Sequence, residues 1–177
     1  PDFNGIHLES GDAVLLISYF GIPLDPTLYE MLKSKRAVII EDLSQAFYLE
    51  PQLLADFSVL SLRKFFAVPD GGIAIANGCN HSPIIWPYVD KSNESIAHSS
   101  LEAISGRALF DSNISDSREW FIAFQGAESQ MPTDLSSMTQ FTRMQIAGII
   151  DFDAEKRQRV TNFEYLLSKL RRVSLIK

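Results

Sequence analysis

Four side chains in the first half of the chain combine an acid, an amide, a hydroxyl and an amine at short spacing: Asp42, Gln45, Ser61 and Lys64. A lysine amine attacks a carbonyl only after losing its proton, which desolvation or a neighbouring positive charge promotes, and Arg63 stands beside Lys64 to supply such charge. A carboxylate can hold a ring nitrogen protonated. The amide and the hydroxyl can donate to a phenolic oxygen and to a phosphate. Together these are the demands of pyridoxal phosphate, which needs an amine to carry it, an acid opposite its pyridine nitrogen and donors for its oxygens.

The elements that must position these groups are short apolar runs. Residues 37–40, Ala-Val-Ile-Ile, read as a strand buried on both faces, and the run stops at Glu41-Asp42. Asp42 is therefore expected at a strand's carboxyl end, where open α/β sheets bind ligands. A second run, 57–62, carries Ser61, with Lys64 three residues beyond it. A third, 73–76, follows Pro69-Asp70-Gly71-Gly72, a turn whose glycines can take positive φ.

Upstream, Ser10-Gly11-Asp12 reads as a turn into a buried strand over 13–20, ended by Gly21 and Pro23. Residues 26–35 predict a helix, with Pro26 in its first turn and Leu28, Met31 and Leu32 as its apolar stripe. The strand, helix and strand over 13–42 make a βαβ unit with an expected right-handed crossover. Residues 44–54 predict a short helix broken at Pro51, and 79–93 a loop with a short helix or turn at 84–89. From Ser99 the chain reads as helical. One helix is capped at Ser99 or Ser100 with Leu101, Ile104, Ala108 and Leu109 on a face, and others are expected over 115–131, 134–150 and 153–173. The last carries the stripe Val160, Phe163, Leu166, Leu167 and Leu170.

Composition bounds the function classes. With 46% hydrophobic and 21% charged residues the chain has a globular balance, and 177 residues suffice for a sizeable core. A formal charge of -6 argues against a nucleic-acid surface. The single cysteine, Cys79, excludes an internal disulfide and fits a reducing, cytoplasmic compartment. No apolar run approaches the roughly 18 residues of a membrane span, so no membrane partner is expected. His7, His81 and His98 lack metal-ligand spacing, and no metal site is expected.

The segment 38–46, VIIEDLSQA, resembles the acid-bearing strand end of the DegT/DnrJ/EryC1/StrS family of pyridoxal phosphate-dependent sugar aminotransferases, and 58–72, SVLSLRKFFAVPDGG, resembles that family's lysine segment and Gly-Gly turn. Residues 157–170 resemble, more weakly, its entry into the small domain. The resemblance implies that Asp42 faces the pyridine nitrogen, Gln45 approaches the phenolic oxygen, Ser61 binds phosphate and Lys64 carries the cofactor covalently. It departs from the usual pattern in its Ser-x-x-Lys spacing and in the shorter loop between acid and lysine.

The expected fold is α/β: a mainly parallel sheet flanked by helices, forming part of the large domain of a fold type I enzyme, with a helical C-terminal segment. Residues 1–150 would belong to the cofactor-binding large domain, its N-terminal half apparently absent, and 151–177 would lead toward a small domain. The implied activity is amino transfer from an amino acid such as glutamate to a nucleotide-linked keto sugar in polysaccharide biosynthesis, by a homodimer. A sugar dehydratase on the same scaffold would replace the lysine. The rival from another class is a non-catalytic module that keeps the fold for assembly or ligand binding.

Overall fold

The computed structural model describes residues 7–77, 89, 91–131 and 134–170. Its centre is a four-stranded sheet in the order β1 (Ala13–Ile17), β2 (Val38–Asp42), β3 (Phe57–Ser61) and β4 (Gly72–Ala76). The first three strands run parallel and β4 is antiparallel to β3. Five helices stand among the described residues: α1 (Pro26–Ser34), α2 (Glu94–Asp111), α3 (Glu119–Ser129), α4 (Gln140–Gly148) and α5 (Phe152–Leu170). The chain is thus α/β with a mostly parallel sheet. It divides into two compact units, one ending at Thr142 and the other starting at Arg143.

Helix α1 begins where Asp25 caps it, accepting from Thr27 N–H at 2.9 Å, and Pro26 fits the first turn because its missing donor would be unpaired there. Its buried Tyr29 and Leu32 pack on Leu16 of β1 and Ile39 of β2, with Ala37 and Ala55 completing this part of the core. The ion pair of Lys33 with Asp56, at 2.6 Å, ties the helix to the approach of β3, and Asp56 also accepts from Ile39 N–H at 2.8 Å.

Strand alternation combined with the pairing register sorts the sheet into two faces. Val14, Leu16, Ile39, Glu41, Ser58 and Leu60 share one face, and Leu15, Ile17, Ile40, Asp42, Val59 and Ser61 share the other. Helix α1 covers only the first. Residues 37–40 are therefore not buried on both faces as expected: Ile39 is fully buried while Val38 and Ile40 are half-buried. The 13–20 strand is likewise shorter and more open, ending at Ile17, with Leu15 55% exposed.

The covered face carries a buried polar network. Glu41, 2% exposed, accepts from Tyr29 Oη at 2.7 Å, Ser58 Oγ at 3.0 Å and the Gln52 backbone N–H at 3.0 Å, and Asn77 donates to Ser58 Oγ at 2.6 Å. These bonds join α1, β2, β3 and the segment after β4. Burial, and then the bond to Glu41, hold the Tyr29 phenol above its ordinary range. A raised folded pKa favours the protonated form. The contribution is thus complete below about pH 10 and fades as pH rises through the higher folded value. Tyr29→Phe, which leaves a buried carboxylate one donor short, is expected to cost about 1.5–3 kcal/mol in urea unfolding at neutral pH. It should also remove part of the parent's loss of stability above about pH 10.

The expected helix over 44–54 is absent. Residues 43–49 instead step through tight turns closed by Ala46 N–H to Leu43 O and Leu49 N–H to Ala46 O, each at 2.8 Å. Two local causes compete with a helix: Pro51 lacks a donor, and Gln52 N–H is taken by Glu41. Helix α2 starts earlier than expected because Asn93 is the cap, accepting from Ile96 N–H at 3.4 Å. Ser99 lies inside the helix and returns its hydroxyl to Ser95 O. The buried face of α2 is accordingly Ile96, Ala97, Ser100 and Ala103, while Leu109 is 45% exposed. The helix expected over 115–131 is α3, and that over 134–150 shortens to α4. The turn or helix expected at 84–89 falls outside the described residues, Val89 aside. So does the expected last turn beyond Leu170 of α5, whose stripe at Val160, Phe163, Leu166 and Leu170 is exposed.

Candidate functional site

Three parallel neighbours place their carboxyl ends on one edge of the sheet, and every candidate residue lies at or just after one of those ends. Asp42 closes β2 and Ser61 closes β3, both on the face that α1 leaves open. Gln45 lies in the turn after Asp42 and Lys64 ends the 3-10 turn after Ser61. Because Asp42 pairs with Val59, Ser61 stands one side-chain step further along the same face. The antiparallel strand begins at this edge too, since Gly72 pairs with Ser61.

The polar groups near this edge fall into two classes. Glu41, Ser58, Asp56 and Arg63 are committed to internal partners. The candidates are not. Asp42 accepts one hydrogen bond among the described residues, from Ser44 N–H to Oδ1 at 2.8 Å, which leaves Oδ2 available. Ser61 precedes the 3-10 turn without capping it. Lys64 and Gln45 are exposed, and among the described residues neither side chain has a hydrogen-bonding partner. A carboxylate, a hydroxyl, an amide and an amine thus converge on one sheet edge with polar atoms left available. Among the described residues no group of three or more His, Cys, Asp and Glu side chains could hold a metal.

Lys64 rides on a loop whose base is tightly held. Leu62 is fully buried and its N–H donates to Gly71 O at 3.1 Å, closing the loop below the lysine. Phe65 and Phe66 pack on Phe47 with ring centroids at 5.6 and 5.0 Å, and Tyr48 meets Phe65 edge-on at 5.8 Å. This aromatic cluster fixes the segment after Lys64 against the segment after Gln45. Arg63 pairs with Glu128 of α3 and its guanidinium lies 3.9 Å from Met131 Sδ. Its guanidinium is therefore paired with a carboxylate of α3.

The Pro69-Asp70-Gly71-Gly72 turn is anchored from outside the sheet. Asp70 accepts from Thr139 N–H at 2.7 Å, from Thr139 Oγ1 at 3.0 Å and from the Thr142 hydroxyl, which ties the turn to the start of α4. Gly71 has φ +109°, and a Cβ there would lie 2.8 Å from Leu62 Cδ1 and 3.2 Å from Thr142 Cγ2. Leu62 is fully enclosed and cannot swing away. Gly71→Ala is expected to cost roughly 2–5 kcal/mol, read as a lower urea midpoint, through backbone strain and overpacking together.

One part of the edge was not legible in the sequence. After β1, Ser18 is 1% exposed and donates its N–H to Asp42 O at 3.0 Å, which extends the β1–β2 pairing. Tyr19, Phe20 and Gly21 then form a tight turn, with Tyr19 52% and Phe20 84% exposed. The apolar run through Phe20 concealed the end of the strand. Gly21, expected to follow the strand directly, lies inside this turn. No family model, curated protein or solved structure matches this chain.

Proposed function

We infer that the carboxyl edge of the sheet is a pyridoxal phosphate site and that the protein transfers an amino group to a nucleotide-linked keto sugar. The supporting observation is the convergence there of Asp42, Gln45, Ser61 and Lys64 with uncommitted polar groups, while their immediate neighbours are internally satisfied. The donor set fits the cofactor: an available carboxylate oxygen for a pyridinium N–H, an amide for a phenolic oxygen, a hydroxyl for phosphate and an accessible amine. When bound, the cofactor supplies an electron sink for the carbon that loses a proton.

The chain's own residues have distinct tasks in this reading. Lys64 would hold the cofactor through Nζ and, once the donor's amino group has taken its place and freed the amine, would take and return the proton at the substrate carbon that bears nitrogen. Asp42 keeps the ring nitrogen protonated through Oδ2, with Ser44 N–H fixing the other oxygen and hence the carboxylate plane. Gln45 and Ser61 orient the ring. The amino donor is an amino acid such as glutamate, and a lysine at 64 favours transfer over dehydration. The fold is proposed to be part of a fold type I large domain acting as a homodimer in the cytoplasm. Among the described residues no helix is long and apolar enough to cross a membrane.

A second reading, a non-catalytic assembly module, is favoured by the open sheet face around Leu15 and by the exposed stripe of α5. Absorbance separates the two. The purified protein incubated with pyridoxal phosphate should gain a visible band that borohydride bleaches, with the label retained after denaturation. A spectrum that is the sum of protein and free cofactor would support the module.

A further inference from the structure

We propose that the cavity between α2 and α3 binds an aromatic monocarboxylate, whose carboxylate pairs with Arg107 and whose ring fills the space between the helices. None of the residues assigned to the cofactor lines this cavity, so the assignment stands independently of that reading.

The cavity follows from how the two helices meet. Gly106 of α2 comes so close to α3 that a Cβ there would lie 2.9 Å from Trp120 Cβ. The missing side chain lets the helices approach at that point. Around this contact, Ala103, Ile104 and Arg107 of α2 and Trp120, Phe121 and Phe124 of α3 enclose about 380 Å³. Each set is spaced i, i+1 and i+4, which puts its members on one side of its helix. The volume falls within the roughly 300–1,000 Å³ of small-molecule sites. Phe121 and Phe124 are 47% and 42% exposed, so their rings still face solvent in part.

The polar groups narrow the chemistry of the ligand. All those on the lining side chains are donors: the Arg107 guanidinium and the Trp120 indole N–H. The indole N–H is buried and, among the described residues, has no acceptor. Arg107 Nε donates to Asp111 Oδ2 at 2.7 Å, and its Cζ lies 4.6 Å from the centroid of the Trp120 ring. These contacts position the guanidinium against the indole, while its two terminal nitrogens have no partner among the described residues. A guanidinium so placed suits a carboxylate, which can take two hydrogen bonds from it. Asp111 already stands beside it, so a second negative charge on the ligand would be repelled. That favours a monocarboxylate over a phosphate ester. Three of the six lining side chains are aromatic, and rings pack favourably edge-on or offset against rings. An aryl carboxylate meets both requirements.

The full chain is titrated by calorimetry with 2-naphthoate and with its uncharged counterpart, 2-naphthalenemethanol, at neutral pH and without pyridoxal phosphate. The parent is expected to bind the naphthoate about 10-fold or more tightly than the alcohol, the contribution of a charge-assisted hydrogen bond. Arg107→Gln should abolish that preference by weakening the naphthoate alone. Ile104→Trp, which fills the cavity from a half-buried position, should remove binding of both. A Tm near the parent's shows that each variant is folded, and the comparison of the two ligands on the parent needs neither variant. A parent that binds neither ligand, or binds them equally, overturns the assignment. So does naphthoate binding that survives Ile104→Trp, which would place the ligand elsewhere. Self-association that Phe121→Ser abolishes, in a parent that takes no naphthoate, would make this face a contact between copies and would overturn it too.

Discussion

Lys64→Ala yields protein in which borohydride traps no cofactor, while in the parent the trapped label maps to the peptide containing Lys64. Folding should be unaffected. Lys64 is exposed and, among the described residues, has no hydrogen-bonding partner, so the truncation is expected to change stability by no more than about 0.5 kcal/mol. Turnover, in contrast, loses the group that moves the proton at the substrate carbon and should drop by about 10²- to 10⁴-fold. Added alkylamines would restore part of it if the lysine acts as a proton carrier. The other lysines near the sheet are poorer candidates on structural grounds. Lys33 is held by Asp56 at 2.6 Å, on the face that α1 covers. A label found on Lys33, Lys35 or Lys91 would sink the assignment, as would an undiminished label in the alanine variant.

The second large effect is at Asp42. Asparagine has the same shape, and its carbonyl oxygen can still accept from Ser44 N–H, so the turn after β2 is preserved. The negative charge is lost, and with it the means of keeping a facing ring nitrogen protonated. A charged hydrogen bond is worth about 1.5–3 kcal/mol, so Asp42→Asn is expected to slow turnover roughly 10- to 150-fold. Cofactor affinity should fall by less, because Lys64, Ser61 and Gln45 still hold it. An Asp42→Asn variant with the parent's turnover and the parent's absorbance maximum would show that Asp42 faces solvent and not the ring.

Both effects depend on residues that the sequence marks out and on a geometry that it does not contain. Asp42 was legible because the apolar run before it ends abruptly in acids, and Lys64 because it stands between a serine and a Gly-Gly turn. Neighbouring positions were misleading. Arg63 beside Lys64 looks like a source of positive potential, yet a partner 65 residues away in sequence, Glu128, engages it. Glu41 and Asp42 are chemically alike and adjacent. One closes a buried network with Tyr29 and Ser58 while the other remains available, and only the strand's alternation separates them. Phe20 gave no signal of its own because a hydrophobic run conceals a backbone reversal within it.

By itself the sequence determined the order of the four strands and of α1 between Ala13 and Ala76, since the runs are short, β-branched and punctuated by Gly, Pro and Asp, and α1 carries its own cap. It also put Asp42 at the carboxyl end of β2 and Ser61 near that of β3. The tertiary structure decided what those ends share. Parallel pairing of β1, β2 and β3 brings Phe20, Asp42 and Lys64 to one edge, a consequence of hydrogen bonding between segments far apart in the chain. It decided that 43–49 forms turns and not a helix, with Ala46 and Leu49 N–H closing on carbonyls three residues back. It decided which sheet face is covered, because α1 packs on one side only. Local propensity acts within a few residues, whereas burial and polar commitment are set by neighbours that the fold supplies.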